Sequence, residues 1–140
     1  MARINTKGVV VGGLLAGLII NISETILNIP VLGAAYEASL KALNLPPVGN
    51  QAVIVFIIGG FVLGVLLVWL YAAIRPRFGG GPKTALMSAA AFWFLGYAWP
   101  SLGMGLVGYM PAKLLTVAVL WGLGEVIVAA LVGGWYYKEA

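Results

Sequence analysis

The sequence predicts an all-α, polytopic membrane protein in which four transmembrane helices form an antiparallel bundle. Of its 140 residues, 62% are hydrophobic and only 9% are charged. A soluble domain carries about 25% charged residues, so the apolar surface of this chain is expected to face lipid. Four apolar runs each reach the roughly 20 residues that a helix needs to cross about 30 Å of hydrocarbon. We therefore expect one transmembrane domain over residues 1–140.

The predicted spans cover about 8–29, 53–74, 84–107 and 112–137. The first follows Arg3 and Lys7, and because its apolar run is long and no prompt cleavage site follows, it is predicted to be an uncleaved helix. The second ends at the Arg75-Pro76 pair, and the fourth ends before Lys138.

The third span contains Pro100, which cannot donate a hydrogen bond to the Gly96 carbonyl. This proline predicts a kink or an end of the helix. A frayed helix end or a re-entrant loop over 101–108 is the alternative.

The loop between the first two spans predicts a short amphipathic helix over about 32–45, lying on the outer membrane surface. Leu32, Tyr36 and Leu40 recur at helical spacing, whereas Glu37 and Lys41 form an i,i+4 pair on another face. A lid or a partner-binding segment is the alternative role.

The positive charges predict the orientation. Six of the eight cations flank the same ends of the spans and two flank the opposite ends, which by the positive-inside rule indicates N-in, C-in topology. The cations of the inner loop are predicted to contact lipid headgroups, and they are Arg75, Arg77 and Lys83. Pro82 precedes Lys83 where a phosphate-binding loop needs glycine, so neither nucleotide nor nucleic acid is predicted as a partner.

Two acidic residues lie inside the predicted spans. A charge at membrane depth costs about 2.5–3.5 kcal/mol on insertion scales, so Glu24 and Glu125 mark a polar site. Asn21 and Asn28 fall on the same face of the first helix as Glu24 and complete this predicted intramembrane polar site. The two carboxyls are expected at depths that differ by on the order of 10 Å, which argues against one shared pair.

Small residues share these faces and predict close helix packing. The residues are Gly13, Gly17, Gly60, Gly64, Gly122, Ala129 and Gly133. The carboxyls therefore face protein, where two roles stay open. In the first role the acids make structural contacts: Glu24 pairs with Lys113 or with the asparagines, and Glu125 donates to a backbone carbonyl. In the second role the acids bind protons or a cationic substrate.

The composition also excludes several kinds of chemistry. The chain contains no cysteine and no histidine, which removes thiolate chemistry, the usual zinc and haem ligands and the commonest general base. We predict no catalytic residue, no metal site and no cofactor, and hence no enzyme. The aromatic third span, with Trp93 and Tyr97, leaves a bound lipid, quinone or pigment as an alternative.

Three stretches resemble a known group of proteins. Residues 12–21, 68–79 and 121–125 are similar to uncharacterised small four-span bacterial inner-membrane proteins, and the resemblance implies the same fold without an activity. Small multidrug-resistance transporters share the architecture alone, with four helices and a functional glutamate in the first.

Two functions are consistent with these features. The first is a non-catalytic accessory or assembly subunit that packs in the lipid bilayer beside other membrane proteins or itself. The alternative is a small oligomeric proton-coupled transporter or channel that uses the intramembrane glutamates.

Overall fold

The structure is a computed structural model that describes residues 3–139. Within this part of the chain all regular structure is helical. Four helical stretches are long and apolar enough to cross a membrane, namely Thr6–Val31, Asn50–Phe78, Pro82–Val107 and Ala112–Tyr136. The prediction of an all-α chain with four membrane-length apolar helices is confirmed.

Residues 3–139 form six α-helices and two π-helical turns. In chain order they are α1 (Thr6–Ile26), a first π turn (Leu27–Val31), α2 (Gly33–Ala42), α3 (Asn50–Phe78), α4 (Pro82–Trp93), a second π turn (Phe94–Ala98), α5 (Trp99–Val107) and α6 (Ala112–Tyr136). The Asn5 side chain caps α1 by accepting a hydrogen bond from the Gly8 N–H at 3.0 Å. Gly108 ends α5 in the left-handed conformation, with φ of 80°.

Each π turn accompanies a proline. Pro30 lies inside the first turn, where the Leu32 N–H donates to the Leu27 carbonyl at 2.7 Å. Pro100 follows the second turn, in which the Trp99 N–H donates to the Phe94 carbonyl. The third span continues as α5 through Pro100 to Val107, so the alternatives of a frayed end or a re-entrant loop are wrong for this segment. A wider turn before the proline accommodates its missing donor instead.

Close approach of α1 and α3 depends on glycine. A Cβ added at Gly17 would lie 2.7 Å from the Phe61 Cα, and one added at Gly64 would lie 2.6 Å from the Gly17 Cα. Gly13 and Gly60 lie along the same crossing and are also buried. On the other side of α1, a Cβ at Gly133 of α6 would lie 3.0 Å from the Gly12 carbonyl oxygen. The backbones therefore touch where the sequence has glycine.

Two apolar clusters fill the spaces between the helices. The first lies toward the start of α1 and includes Ala16, Ile20, Leu67, Val68, Val126, Ala129 and Ala130. The second lies toward the end of α1 and consists of Leu27, Leu32, Leu114 and Leu115, with Tyr36 and Trp121 packed against it. Along both α1 and α6, the chain between the two clusters carries polar side chains.

The helix α2 presents its apolar residues to the second cluster. Leu32 is buried and Tyr36 and Leu40 are half-buried, whereas Glu37 and Lys41 form an exposed ion pair with an N–O distance of 3.0 Å. The described helix ends at Ala42, short of the predicted end near residue 45.

Candidate functional site

A tyrosine joins the carboxyls of Glu24 and Glu125 between the two apolar clusters. The Tyr97 Oη lies 3.2 Å from Oε1 of Glu24 on α1 and makes a second hydrogen bond to Oε1 of Glu125 on α6. One hydroxyl therefore links the two carboxyls, whereas the predicted difference in depth argued against one shared pair. The predicted difference in depth between the two glutamates follows from their backbone positions alone, but the long side chain of Tyr97 reaches both carboxyls.

Two local features position the Tyr97 ring. Tyr97 lies in the second π turn, where the wider helical turn changes the direction of the side chains relative to a regular helix. The ring packs over Gly122 of α6, because a Cβ at Gly122 would lie 2.7 Å from the Tyr97 Cγ. Because Gly122 has no side chain, it leaves the space that the Tyr97 ring occupies, one helical turn from Glu125.

Asn28 completes the cluster on the Glu24 side. Its Nδ2 donates to Oε2 of Glu24 at 2.7 Å and to the Glu24 backbone carbonyl at 2.8 Å. Asn21 does not join the site, since its Nδ2 donates to the carbonyls of Gly17 and Ile57. Asn21 instead links α1 to α3 and fills the space left by Gly60.

The anticipated ion pair of Glu24 with Lys113 is not formed among residues 3–139. Lys113 is exposed at the start of α6. Of the four residues predicted to form the polar site, the structure brings together Glu24, Glu125 and Asn28.

Further side-chain hydrogen bonds hold the helices around the cluster. The Trp121 Nε1 donates to the Ser23 Oγ at 2.9 Å, which ties α6 to α1 beside the glutamates. The Trp93 Nε1 donates to the Val119 carbonyl at 2.8 Å, which ties α4 to α6. Sequence reasoning missed Ser23 and Trp121 as neighbours of the site and considered Tyr97 only as part of an aromatic surface.

The cluster runs from exposed to buried groups. Asn28 is exposed, Glu24 is half-buried, and only 5% of Glu125 is exposed. The Glu125 Oε2 is buried and has no hydrogen-bond partner within residues 3–139. The half-buried Tyr36 of α2 lies near the exposed end, and both burial and the charge of Glu24 raise the pKa of its hydroxyl.

The hydrogen count of the cluster determines what it can bind. A tyrosine hydroxyl has a single hydrogen, so it donates to one carboxyl and accepts from another group. Each contact of Tyr97 is a full two-centre hydrogen bond when one of the two glutamates carries a proton and donates it to the Tyr97 oxygen. The arrangement therefore offers a place for one proton between two carboxyls that lie within hydrogen-bonding distance of the same oxygen.

The opposite end of the molecule holds a second polar group. The half-buried Arg75 guanidinium lies 5.6 Å from the Tyr137 ring centroid and 3.7 Å from the Glu139 carboxyl, and the Tyr137 hydroxyl accepts from the Asn5 N–H at 3.1 Å. Protein groups thus engage Arg75, which was predicted to contact headgroups. Arg77 and Lys83 are exposed, and their contact with lipid stays a prediction.

Among protein families, curated proteins and solved structures, the comparisons find no match to this chain.

Proposed function

We propose that this protein is a small proton-coupled membrane transporter or channel, in which Glu24 and Glu125 share the transported or coupling proton. The observation that carries the proposal is the single Tyr97 hydroxyl that lies between the two carboxyls. Intramembrane carboxyls that face the protein interior are typical of proton relays and substrate pathways. The half-buried Glu24 and the buried Glu125 have the difference in access that proton entry and proton binding require.

The proposal includes an arrangement in the membrane. We place the four spans as an antiparallel bundle in a bacterial inner membrane, with both termini on the cytoplasmic side and α2 on the outer surface. The positive-inside pattern supports this orientation, and the apolar face of α2 supports its surface position. Exposed Arg77 and Lys83 then lie at the level of the inner headgroups. The resemblance to small four-span bacterial membrane proteins fits the same arrangement.

Glutamine substitutions test the function directly. Glutamine has nearly the size of glutamate but cannot bind and release a proton, so Glu24→Gln and Glu125→Gln should each abolish proton flux. The measurement is dye-detected proton flux in proteoliposomes under an imposed pH gradient. Glu37→Gln is the matched control, because Glu37 is exposed on α2 and pairs only with Lys41 among the described residues.

The expected result is loss of flux in both intramembrane variants with unchanged thermal stability, and wild-type flux in the control. Wild-type flux in Glu125→Gln would overturn the proposal, as would wild-type protein that carries no proton flux.

A second candidate function is an accessory or assembly subunit. The observation that favours it is the exposure of every residue from Val53 to Ile58 in α3. Six consecutive residues exceed one and a half helical turns, so much of the surface of this segment is left uncovered by the chain, although Asn21 contacts the Ile57 carbonyl. Neighbouring subunits, like lipid, would cover such a surface.

A further inference from the structure

We propose that Tyr97 is a proton relay that carries protons between Glu24, the entry group, and Glu125, the buried acceptor. The inference rests on the proposed proton-coupled function and assigns the route within that site. It adds a direction, because the chain of hydrogen bonds starts near the exposed end of α1 and ends between α1 and α6.

The hydrogen bonds form one continuous path. The exposed Asn28 side chain donates to Oε2 of Glu24 at 2.7 Å, and Oε1 of the same carboxyl lies 3.2 Å from the Tyr97 hydroxyl. That hydroxyl in turn bonds Oε1 of Glu125. Tyr97 is a hydrogen-bond partner of both carboxyls, so its oxygen offers a route for a proton that moves from Glu24 to Glu125.

Apolar packing leaves few other routes. The cluster that includes Leu27 and Leu115 lies on one side of the polar layer, and the cluster that includes Ile20 and Val126 lies on the other. The residues that form the centres of these clusters are buried, and close packing there leaves little room for water. Ring packing over Gly122 holds the hydroxyl in place between the two carboxyls.

The transfer step is balanced and involves no change of oxidation state. Glu24 in its acid form donates to the Tyr97 oxygen while the Tyr97 hydroxyl donates to ionised Glu125. The Glu24 O–H bond breaks as a new bond forms at the tyrosine oxygen, and the original Tyr97 O–H bond breaks as a bond forms at Glu125. Glu24 ends as the carboxylate, Tyr97 remains neutral, and Glu125 ends as the acid.

The Tyr97→Phe variant tests the relay. Phenylalanine keeps the ring that packs over Gly122 and removes only the hydroxyl, so the fold should be retained. We expect proton flux in proteoliposomes to fall by at least about tenfold, since a positioned proton-transfer group typically contributes about 10²–10⁴-fold. Tyr109→Phe is the matched control, because Tyr109 is an exposed tyrosine outside the helices.

A second readout tests whether Tyr97 bonds the protonated carboxyl. In infrared difference spectra, the protonated carboxyl band should shift in Tyr97→Phe because its hydrogen-bond partner is gone, with thermal stability unchanged. The Tyr109→Phe control should leave this band in place.

The outcomes distinguish the relay from the function on which it rests. Wild-type flux in Tyr97→Phe, combined with loss of flux in Glu24→Gln and Glu125→Gln, would overturn the relay and keep the proton-coupled function. Flux that survives in both glutamine variants would overturn both. An unshifted carboxyl band in Tyr97→Phe would also overturn the relay.

Discussion

At the scale of single residues, Gly122 decides where the Tyr97 hydroxyl lies. A Cβ at this position would lie 2.7 Å from the Tyr97 Cγ. The Cγ atom is attached directly to Cβ of the tyrosine, so it can move less than the end of a flexible side chain. Gly122→Ala should therefore displace the ring and separate the hydroxyl from at least one carboxyl. We expect proton flux to fall by about tenfold or more, as for loss of the hydroxyl itself. Flux in proteoliposomes is the measurement.

Gly124 provides the matched control two residues away on the same helix. No heavy atom lies within 4 Å of a Cβ added there, so Gly124→Ala should leave flux unchanged and keep the helix at least as stable. Equal flux in both alanine variants would show that the ring position is not decided by Gly122.

The polar site was only partly predictable at this scale. Glu24 and Glu125 stand out because charge is rare in apolar runs, and helical periodicity predicts Asn28 on the side of Glu24, where its Nδ2 donates to the Glu24 carboxyl. Tyr97 did not stand out, since a tyrosine in an aromatic-rich span is equally typical of packing. Its role depends on contacts with Glu24 and Glu125, which are far away in sequence, and on the π turn that contains it. Helical periodicity predicts neither of these features.

At the scale of helices, the α1–α3 crossing should be sensitive to a single methyl group. Gly64→Ala places a Cβ 2.6 Å from the Gly17 Cα, and backbone atoms can yield only if the helices separate. Overpacking of this kind costs about 1–3 kcal/mol. We expect a lower thermal midpoint in detergent for Gly64→Ala, measured by the loss of the monodisperse protein on heating.

Gly59 of the same helix is the control for this substitution. It has no heavy atom within 4 Å of an added Cβ, so Gly59→Ala should match or exceed the wild-type midpoint because alanine favours helix. A Gly64→Ala midpoint equal to that of Gly59→Ala would contradict the close crossing.

Helix positions follow from hydropathy far more directly than helix irregularities do. Apolar length alone predicts where a chain can cross the bilayer, and four such helices are present. Pro100 signals a disturbance, but the structure absorbs it in the preceding residues Phe94–Ala98. The position of the wider turn depends on the packing of α4 against α6, so it cannot be predicted from the residues next to Pro100 alone.

At the scale of the whole molecule, the proposed transporter is expected to be an oligomer, and the start of α3 is the surface where we expect two copies to meet. The residues of the segment Val53–Ile58 are all exposed within residues 3–139, and Phe56 is 66% exposed. We expect native mass spectrometry of the gently solubilised protein to give a small multiple of 14.6 kDa. A larger assembly with other membrane proteins would instead favour the accessory-subunit function.

A truncation pair locates the contact between copies. In a bilayer, shortening a side chain that faces lipid has little effect on helix association, whereas shortening one that packs against a neighbouring helix removes van der Waals contacts. Phe56→Ala should therefore lower the associated fraction, and Leu120→Ala, at a comparably exposed position of 64% on α6, should not. If the two variants associate equally, the subunits do not meet at the start of α3. If Phe56→Ala also loses proton flux while its thermal midpoint is unchanged, the oligomer is the form in which the Glu24–Tyr97–Glu125 cluster works.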